Sequence, residues 1–569
     1  MAIGRTTRSV SPWGRVYPVS AAVSVLLLVS LLAFAQGGPS QVTADWFSRP
    51  SEVPKDVFDL PEFDQFRTGG KLDLERASDF LESLSDSNLP AAQKLFDVFA
   101  WKAFVALNWP ARSDGLPDPS KTYGDIPLST PLVWEFWQQS SNIFLPDGGK
   151  PVWLGKPDPS LDRYKAGWRQ NAAVNEGKQA FSGPLIDQQG NWVHYISFVN
   201  QREFNFIVDN TLYNLEGQAE FLRNNIIEFP VNDDASPGSI EIKLAWKVLS
   251  PHEISSGRFL TRELPVIPYR PASGVFASDP PAHKSGRVTD NIPGQPRTEV
   301  RKTLGLIGMH IAMRTRSSPQ WIWATFEQVD NTRLDPRSRD AKHPLPSHPS
   351  FANPNNPEAL VSANVLPAYN ATDSKGNPIE DWDESKILPP VEVLRLVPPP
   401  QGTEEVNIAA QAFLGSKGSV LRYYELDGTQ WPKHPKAPAV PGGQGSAPES
   451  IVRKMPGEVV PVFLTNSTME TYFQKGYQQA GPLEQDDRLA SQLSVDTTML
   501  FGTESCVGCH YSAGACIGFR KESTGRLLHD ANGNKIPLYG QNSNGGHTGG
   551  ANFSWMLQIE AKAANPKGQ

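Results

Sequence analysis

Three cysteines occur among the 569 residues, and two of them belong to a five-residue motif near the C-terminal end, Cys506-Val507-Gly508-Cys509-His510. Two thiols at this spacing lie on one helical turn and can form thioethers with both vinyl groups of one porphyrin. The imidazole that follows them can bind the porphyrin iron. The spacing therefore predicts one covalently attached haem c, held by Cys506 and Cys509, with His510 as the proximal iron ligand.

Three other uses of the motif stay open from the residues alone. A redox-active dithiol shares the Cys-x-x-Cys spacing but follows a βαβ unit, and no such unit precedes Cys506. A structural zinc site needs four ligands, and the further candidates Cys516, His529 and His547 are not spaced as paired zinc knuckles. A disulfide across the motif would close a very small ring and leave its histidine without a role. The apolar neighbours of Cys516 predict a buried, unreactive thiol.

The stretch Glu504–His510, at the end of a long chain with an export signal, resembles bacterial periplasmic monohaem c-type cytochrome family proteins. In these proteins a large uncharacterised N-terminal region precedes a small haem-binding segment. The phrase Trp321–Glu327 is similar to that group as well. The resemblance covers the C-terminal part of the chain, and its motif is specific for haem attachment but not for a reaction. Dihaem peroxidases and dihaem oxygenases carry two such motifs, whereas this chain has one.

The second axial position of the iron has several candidate ligands. Met556 lies in an apolar segment that predicts the last helix, and we take it as the distal ligand, although a methionine beside Trp and Leu also suits a core position. His547 lies in a glycine-rich loop, and His529 follows two leucines. A ligand from the large N-terminal region and an open iron are the remaining alternatives.

The first 35 residues predict a cleaved signal peptide. The apolar run Val19–Ala35 ends in a small-x-small pattern before Gln36, where we expect the mature chain to begin. The charges before this run are Arg5, Arg8 and Arg15. An uncleaved anchor is the alternative, because the run is close to the lower length limit for a membrane span. We expect a periplasmic protein with no stable membrane span once the signal is removed, which agrees with haem attachment outside the cytoplasm.

Composition excludes several classes of protein. With 39% apolar residues, the chain can bury a core, and its net charge of −7 with a pI of about 5.9 argues against nucleic acid as a partner. The sequence contains no nucleophile elbow, phosphate-binding loop, zinc-protease helix or dinucleotide fingerprint.

Hydrophobic periodicity predicts an α+β fold. Helical stripes cover residues 72–84 and 91–108, and residues 132–139 form a candidate short helix. Alternating patterns at residues 192–200, 204–209 and 240–248 predict strands. Because helices come first and strands later, we expect a large mixed domain with N-terminal helices and antiparallel strands. A small, mainly α-helical, cytochrome c-like segment follows it. The predicted domains are residues 36–455 and 456–569, joined near a Pro- and Gly-rich stretch at 432–447.

A second candidate site lies on a predicted β-hairpin at residues 304–328. If its strands pair, His310, Arg314 and Glu327 would meet near Trp321 and Trp323 on one surface, which gives a polar pocket with aromatic walls. An ordinary sheet with a hydrogen-bonded His310 explains the pattern as well, as does a distal haem ligand.

Two classes of function follow from these expectations. The first is an electron carrier that exchanges electrons with a periplasmic redox partner protein. The alternative is a haem-dependent oxidoreductase whose large domain binds a small organic substrate or a peroxide. A protein in which the haem is only structural forms a weaker third class.

Overall fold

The structure is a computed structural model, in which residues 44–569 form one compact unit. It describes residues 49–126, 130–157, 185–191, 193–266, 300–334, 349–353, 364, 390–395, 399–434, 459–461, 463–473, 505–511, 513–530, 533–540 and 550–564. The predicted signal segment, the boundary near residue 455 and His547 lie outside these residues, so those expectations stay predictions. Among the described helices, none combines the length and the apolar character needed to cross a bilayer.

Within the described residues, eight strands form one antiparallel sheet. Two short strands, β1 (Arg67–Thr68) and β2 (Lys71–Leu72), precede it as a separate hairpin. The strands of the large sheet are, in chain order, β3 (Gln138–Gln139), β4 (His194–Val199), β5 (Ile240–Val248), β6 (Thr261–Val266), β7 (Val300–Met313), β8 (Ile322–Gln328), β11 (Tyr424–Pro432) and β12 (Val459–Val460). Between β8 and β11, the short strands β9 (Arg333–Leu334) and β10 (Leu394–Arg395) pair in parallel.

The spatial order of the sheet is β12-β11-β8-β7-β5-β4-β3, and β6 pairs with the first part of β7. The predicted strand at residues 240–248 is confirmed as β5. The predicted hairpin is confirmed too, since β7 and β8 pair antiparallel through a short turn. These observations bear out the α+β fold.

Two N-terminal helices were predicted correctly. They are α1 (Leu74–Ser87) and α2 (Leu89–Leu107). The Asp73 side chain caps α1 by accepting a hydrogen bond from the Arg76 amide, and the Asn88 side chain caps α2 in the same way through the Ala91 amide. The remaining helices are α3 (Gln201–Asp209), α4 (Leu215–Phe221), α5 (Pro251–Ser256), α6 (Gln401–Ser416), α7 (Cys506–Tyr511) and α8 (Met556–Ile559).

Two local predictions were wrong. Residues 204–209 are not a strand but part of α3, because the Asn200 side chain caps the Glu203 amide and the buried residues Glu203, Phe204 and Ile207 recur at helical spacing. Residues 132–139 are not one helix. A single 3₁₀ turn at Val133–Phe136 is followed directly by β3.

One face of the sheet is covered by helices α2 and α6. The Phe104 ring of α2 stacks on Phe326 of β8 with ring centroids 4.2 Å apart. Trp101 of α2 donates its indole N–H to the Asn407 side chain of α6, and Asn407 in turn donates to the carbonyl of Leu426 in β11. Packed aromatic rings and satisfied polar groups fix this layer.

The opposite face of the sheet, here called the C-terminal face, carries every second strand residue, whose side chains point away from α2 and α6. Lys243, His310 and Thr325 lie directly opposite one another on β5, β7 and β8, so their side chains share this face. Residues 463–473 pack on it. A Cβ atom at Gly308 would lie 2.7 Å from the Thr468 hydroxyl oxygen, so this close approach requires glycine.

The segment from residue 505 onward covers the neighbouring part of the C-terminal face. It shares a hydrophobic core with earlier parts of the chain, in which Val507, Phe553 and Leu557 pack with Phe229 and Trp321. Besides α7 and α8 it contains an antiparallel pair of strands, β13 (Cys516–Phe519) and β14 (Pro537–Tyr539), so its described part is mixed. Cys516 is fully buried, as predicted.

Candidate functional site

The motif residues lie on α7, whose first turn is held by the sheet. The Gln430 side chain on β11 accepts hydrogen bonds from the Val507 amide at 2.8 Å and from the Ser505 hydroxyl at 3.0 Å. The Cys506 amide donates to the carbonyl of Leu464 at 3.2 Å. The sheet and the loop before α7 therefore fix the position of both thiols.

Both motif thiols are free and half-buried. Burial, reinforced by the charge of Glu470, raises the pKa of Cys509 to about 11 and that of Cys506 well above its usual range. A redox-active dithiol needs the opposite, because its nucleophile is a thiolate stabilised by a lowered pKa. The environment of the motif thus counts against the dithiol alternative.

The His510 ring is held for ligation by a single backbone contact. Its Nδ1–H donates to the carbonyl oxygen of Phe553 at 2.7 Å, which leaves Nε2 as the nitrogen with a lone pair. Burial lowers the pKa of His510 to about 4, although the Phe553 bond acts in the other direction. A neutral imidazole whose second nitrogen donates to a carbonyl is the usual form of a metal-binding histidine. The residues present therefore fit a proximal haem ligand.

Tryptophans surround the motif helix. The Trp323 ring on β8 lies 4.3 Å from the His510 ring, centroid to centroid, with an interplanar angle of 45°. The Trp555 indole donates to the carbonyl of Cys509 at 3.2 Å, and the Trp321 indole donates to the carbonyl of Asn552 at 3.1 Å. The predicted aromatic wall is therefore beside the motif, where it packs against the histidine and the segment behind it.

The three candidate residues of the hairpin do not meet in one pocket. His310 Nε2 lies 3.1 Å from a carboxylate oxygen of Glu470. Arg314 instead pairs with Glu228 at 2.8 Å and donates to the carbonyl of Pro319. Glu327 shares the C-terminal face with His310, but it pairs with Arg395 and not with His310 or Arg314.

Glu327 belongs to a buried acidic cluster around one guanidinium. Arg395 lies 3.0 Å from Glu327, 2.6 Å from Glu425 and 3.1 Å from Asp427. Burial and the two neighbouring carboxylates raise the pKa of Asp427 well above its usual range. Burial acts to lower the pKa of Arg395, but Asp427, Glu425 and Glu327 together outweigh it and raise this pKa. Glu327 also accepts hydrogen bonds from the amide and the hydroxyl of Ser467. The cluster thereby anchors the 463–473 segment to the sheet.

His310 belongs to a polar group that faces the motif, here called the His310 group: Lys243, His310 and Glu470. Burial lowers the pKa of Lys243, and the charge of Glu470 opposes this effect. Burial acts to raise the pKa of Glu470, but His310 and Lys243 outweigh it, so that this pKa lies below its usual range. All three residues affect the pKa of His510 through their charges. The His310 group is therefore within electrostatic reach of the predicted iron ligand.

Sequence reasoning found His310 but missed its two partners. Lys243 occupies a polar position in the alternating pattern of β5, and that pattern alone does not distinguish it from an ordinary strand residue. Glu470 lies in a turn of the 463–473 segment. There the Asn466 amide donates to the Glu470 carboxylate, and a 3₁₀ turn at Thr471–Phe473 follows. Only the pairing of distant segments brings these residues together.

The other candidate ligands are placed differently. Met556 is buried at the start of α8 and packs in the same core as Leu557 and Ala561. His529 is exposed and forms an isolated antiparallel bridge with Lys535, between β13 and β14. The described residues contain no group of three or more His, Cys, Asp or Glu side chains arranged to hold a metal ion. The Cys516 thiol donates to the carbonyl of Gly518 at 3.1 Å.

No family model matches the chain, and neither a curated protein nor a solved structure is significantly similar to it.

Proposed function

We propose that this protein is an exported monohaem c-type cytochrome that exchanges electrons with a periplasmic redox partner protein. The observation that carries the proposal is the hydrogen bond from His510 Nδ1 to the Phe553 carbonyl, because His510 directly follows the free thiol of Cys509 and lies one helical turn after that of Cys506. It fixes the tautomer, so that Nε2 carries the lone pair and is directed away from the backbone that accepts the bond, while burial keeps the imidazole neutral. The family resemblance of the Glu504–His510 stretch supports the same function.

Each motif residue has a defined task in this proposal. The S–H bonds of Cys506 and Cys509 add across the two vinyl groups, which gives two thioethers and no leaving group. Nε2 of His510 binds the iron, and the carbonyl of Phe553 keeps the ring in the required orientation. The haem, when bound, supplies a one-electron couple between the ferrous and ferric states. Trp323 and Val507 exclude water from this side of the site.

Haem attachment is tested by replacing the thiols. The wild-type chain, produced in cells with c-type cytochrome maturation, should give a haem-stained band on a denaturing gel. Cys506→Ala combined with Cys509→Ala should lose that band, because a non-covalent haem dissociates on denaturation. Cys516→Ala is the matched control, since this buried thiol lies outside the motif, and it should keep the band. One equivalent of zinc without porphyrin in the wild type would refute the proposal.

A haem-dependent oxidoreductase is the second candidate function. The His310 group favours it, because a simple electron carrier does not need three ionisable side chains beside its haem ligand. The substrate would be a small organic molecule or a peroxide. Optical spectra of the oxidised, reduced and carbon monoxide-treated protein distinguish the two functions. Six-coordinate, low-spin iron supports the carrier, and an open position supports the enzyme.

A further inference from the structure

The carbonyl that accepts the His510 hydrogen bond belongs to a tight β-turn at residues 551–554. The last residue of the turn closes it by donating its amide to the carbonyl of the first at 3.0 Å. Both central residues have a positive φ, 48° at Asn552 and 72° at Phe553, as in a type I′ turn. Asparagine tolerates this conformation, but glycine is usual at the second position, and a bulky side chain there is an outlier. The backbone of Phe553 is therefore strained at the residue that holds the imidazole.

Two successive carbonyls of this turn each accept a hydrogen bond from an aromatic ring. The Trp321 indole donates to the carbonyl of Asn552 at 3.1 Å. Nδ1–H of His510 donates to the next carbonyl, that of Phe553, at 2.7 Å. Because the peptide group between the two turn residues is planar, holding its carbonyl restricts the direction of the carbonyl that follows. The indole of Trp321 thus bears on the orientation of the His510 ring.

The tryptophan that makes this contact is itself in a left-handed conformation. Trp321 has a φ of 75° directly before β8, where its amide donates to the carbonyl of Ser318 at 2.9 Å. Its ring is buried, with centroids 5.9 Å from that of Phe229 and 6.1 Å from that of Trp323. Such residues persist only where the surrounding structure determines their conformation, and they cluster at functional sites.

The Asn552 side chain connects the turn to a third part of the chain. Its Oδ1 accepts a hydrogen bond from the Phe229 amide at 3.0 Å, while its Nδ2 has no hydrogen-bond partner within the described residues. Asn552 is 1% exposed, so this donor is buried without compensation. A strained backbone and an unsatisfied donor in one turn both oppose folding. Stability alone therefore does not account for this turn, whereas the presentation of a carbonyl to His510 does.

We infer that Trp321 is a positioning residue for His510 and acts through the strained turn at residues 551–554. The inference rests on the proposed haem attachment, and it adds the residues that determine which ring nitrogen is presented for ligation. The Trp321 indole holds the Asn552 carbonyl, and the left-handed turn directs the Phe553 carbonyl at Nδ1. Nε2 then keeps the lone pair.

Removal of the indole N–H tests the role of Trp321. Trp321→Phe keeps an aromatic ring but loses the donor. The ratio of the Nδ1–H to the Nε2–H tautomer of His510 should therefore fall by about tenfold, the lower end of the loss seen when an outer partner of a metal ligand is removed. Nitrogen-15 NMR of the histidine rings in the full chain, produced without haem, measures this ratio. Trp246→Phe is the matched control and should leave the ratio unchanged, because the Trp246 indole is buried but has no hydrogen-bond partner within the described residues.

Two substitutions of Asn552 separate the backbone conformation from the side-chain contact. Asn552→Gly and Asn552→Ala both remove the oxygen that accepts from the Phe229 amide, but only alanine is disfavoured at a φ of 48°. The glycine variant should keep the wild-type tautomer ratio, and the alanine variant should lower it. Equal ratios in the two variants would overturn the inference, which keeps it testable even if Trp321→Phe does not fold.

The haem-loaded chain gives an independent readout. A carbonyl partner makes the imidazole a more basic ligand, which favours the ferric iron. Trp321→Phe should therefore raise the reduction potential, by about 59 mV if the preference of the ligand for ferric over ferrous iron falls tenfold. A folded Trp321→Phe variant with an unchanged tautomer ratio or an unchanged potential would overturn the inference, while its haem-stained band would leave the proposed function standing. A chain that takes up no haem overturns the proposed function, and the tautomer ratio still decides the role of Trp321.

Discussion

Replacement of Arg395 should destabilise the fold and disturb the proposed haem-binding site together. Its guanidinium is the only cation paired, within the described residues, with the carboxylates of Glu327, Glu425 and Asp427. Glu327 in turn accepts both hydrogen bonds from Ser467, in the segment that carries Glu470. Arg395→Met would keep much of the side-chain volume but remove the charge.

The magnitude follows from burial. Glu327 is 0% exposed and Arg395 8% exposed, so solvent screens the pair weakly. Removing one partner of a buried ion pair costs about 3–5 kcal/mol, because the remaining charge stays desolvated. The m-value in urea reaches about 3 kcal/mol/M for small proteins and grows with size, so for the unit of residues 44–569 the unfolding midpoint should fall by at most about 1–1.7 M. Protonation of the carboxylates would reduce the loss, so the deficit should be larger at pH 8 than at pH 5.

Urea denaturation followed by tryptophan fluorescence measures this effect, and Arg395→Lys is the matched control. Lysine keeps the charge but loses the forked geometry that reaches three carboxylates. The stability of Arg395→Lys should therefore lie between that of the wild type and that of Arg395→Met. Carbon monoxide binding to the haem-loaded variants reports whether the 463–473 segment has shifted. A midpoint in Arg395→Met equal to that of the wild type at pH 8 would refute the argument, since the cluster would then need no counter-charge.

Two further predictions concern buried groups elsewhere. Burial raises the pKa of Asp97 on α2 to about 6, although the hydrogen bonds that it accepts from Thr403 and Gln93 act to lower it. The folded state therefore binds more protons than the unfolded state between about pH 4 and pH 6, and the free energy of unfolding falls as the pH rises through this range. The loss is about 3 kcal/mol, and Asp97→Asn should abolish this part of the pH profile in urea titrations. Met556→Ala tests the distal ligand. If Met556 binds the ferric iron, a weak long-wavelength band from iron–thioether bonding should disappear and the reduction potential should fall, whereas unchanged spectra would place Met556 in the core.

The parts of the fold that sequence predicts well are those in which local pattern and tertiary burial agree. Helix α2 is buried along most of its length and carries its own cap, and the large apolar residues of β5 recur at every second position from Ile240 to Val248. The error at residues 204–209 has a local cause. Phe204, Phe206 and Val208 alternate like a strand, but the cap at Asn200 and the buried spacing of Phe204 and Ile207 select a helix.

The candidate site divides in the same way. The residues of the motif are contiguous in sequence, so its chemistry can be predicted from their spacing alone. The hairpin that holds His310 was also predictable, because both strands alternate and a short turn joins them. The partner of His310 was not, since Glu470 is 160 positions away along the chain and meets it only when the 463–473 segment packs on the sheet. Arg314 was assigned to the same pocket because it follows the alternation of β7, but the strand ends before it and its side chain turns to Glu228.

The free-energy cost of burying the His310 group distinguishes the two candidate functions. Burying an ionisable side chain is unfavourable unless it is paired, and Lys243 and Glu470 are both drawn out of solvent on the C-terminal face. An apolar surface would hold a haem at least as stably, and it would suit a carrier whose iron only changes its oxidation state. The three ionisable groups near His510, the proposed haem ligand, are therefore the observation that favours the oxidoreductase as the second candidate function. In that second candidate the large sheet would do more than dock a partner, because it positions β5 and β7 so that Lys243 and His310 meet Glu470.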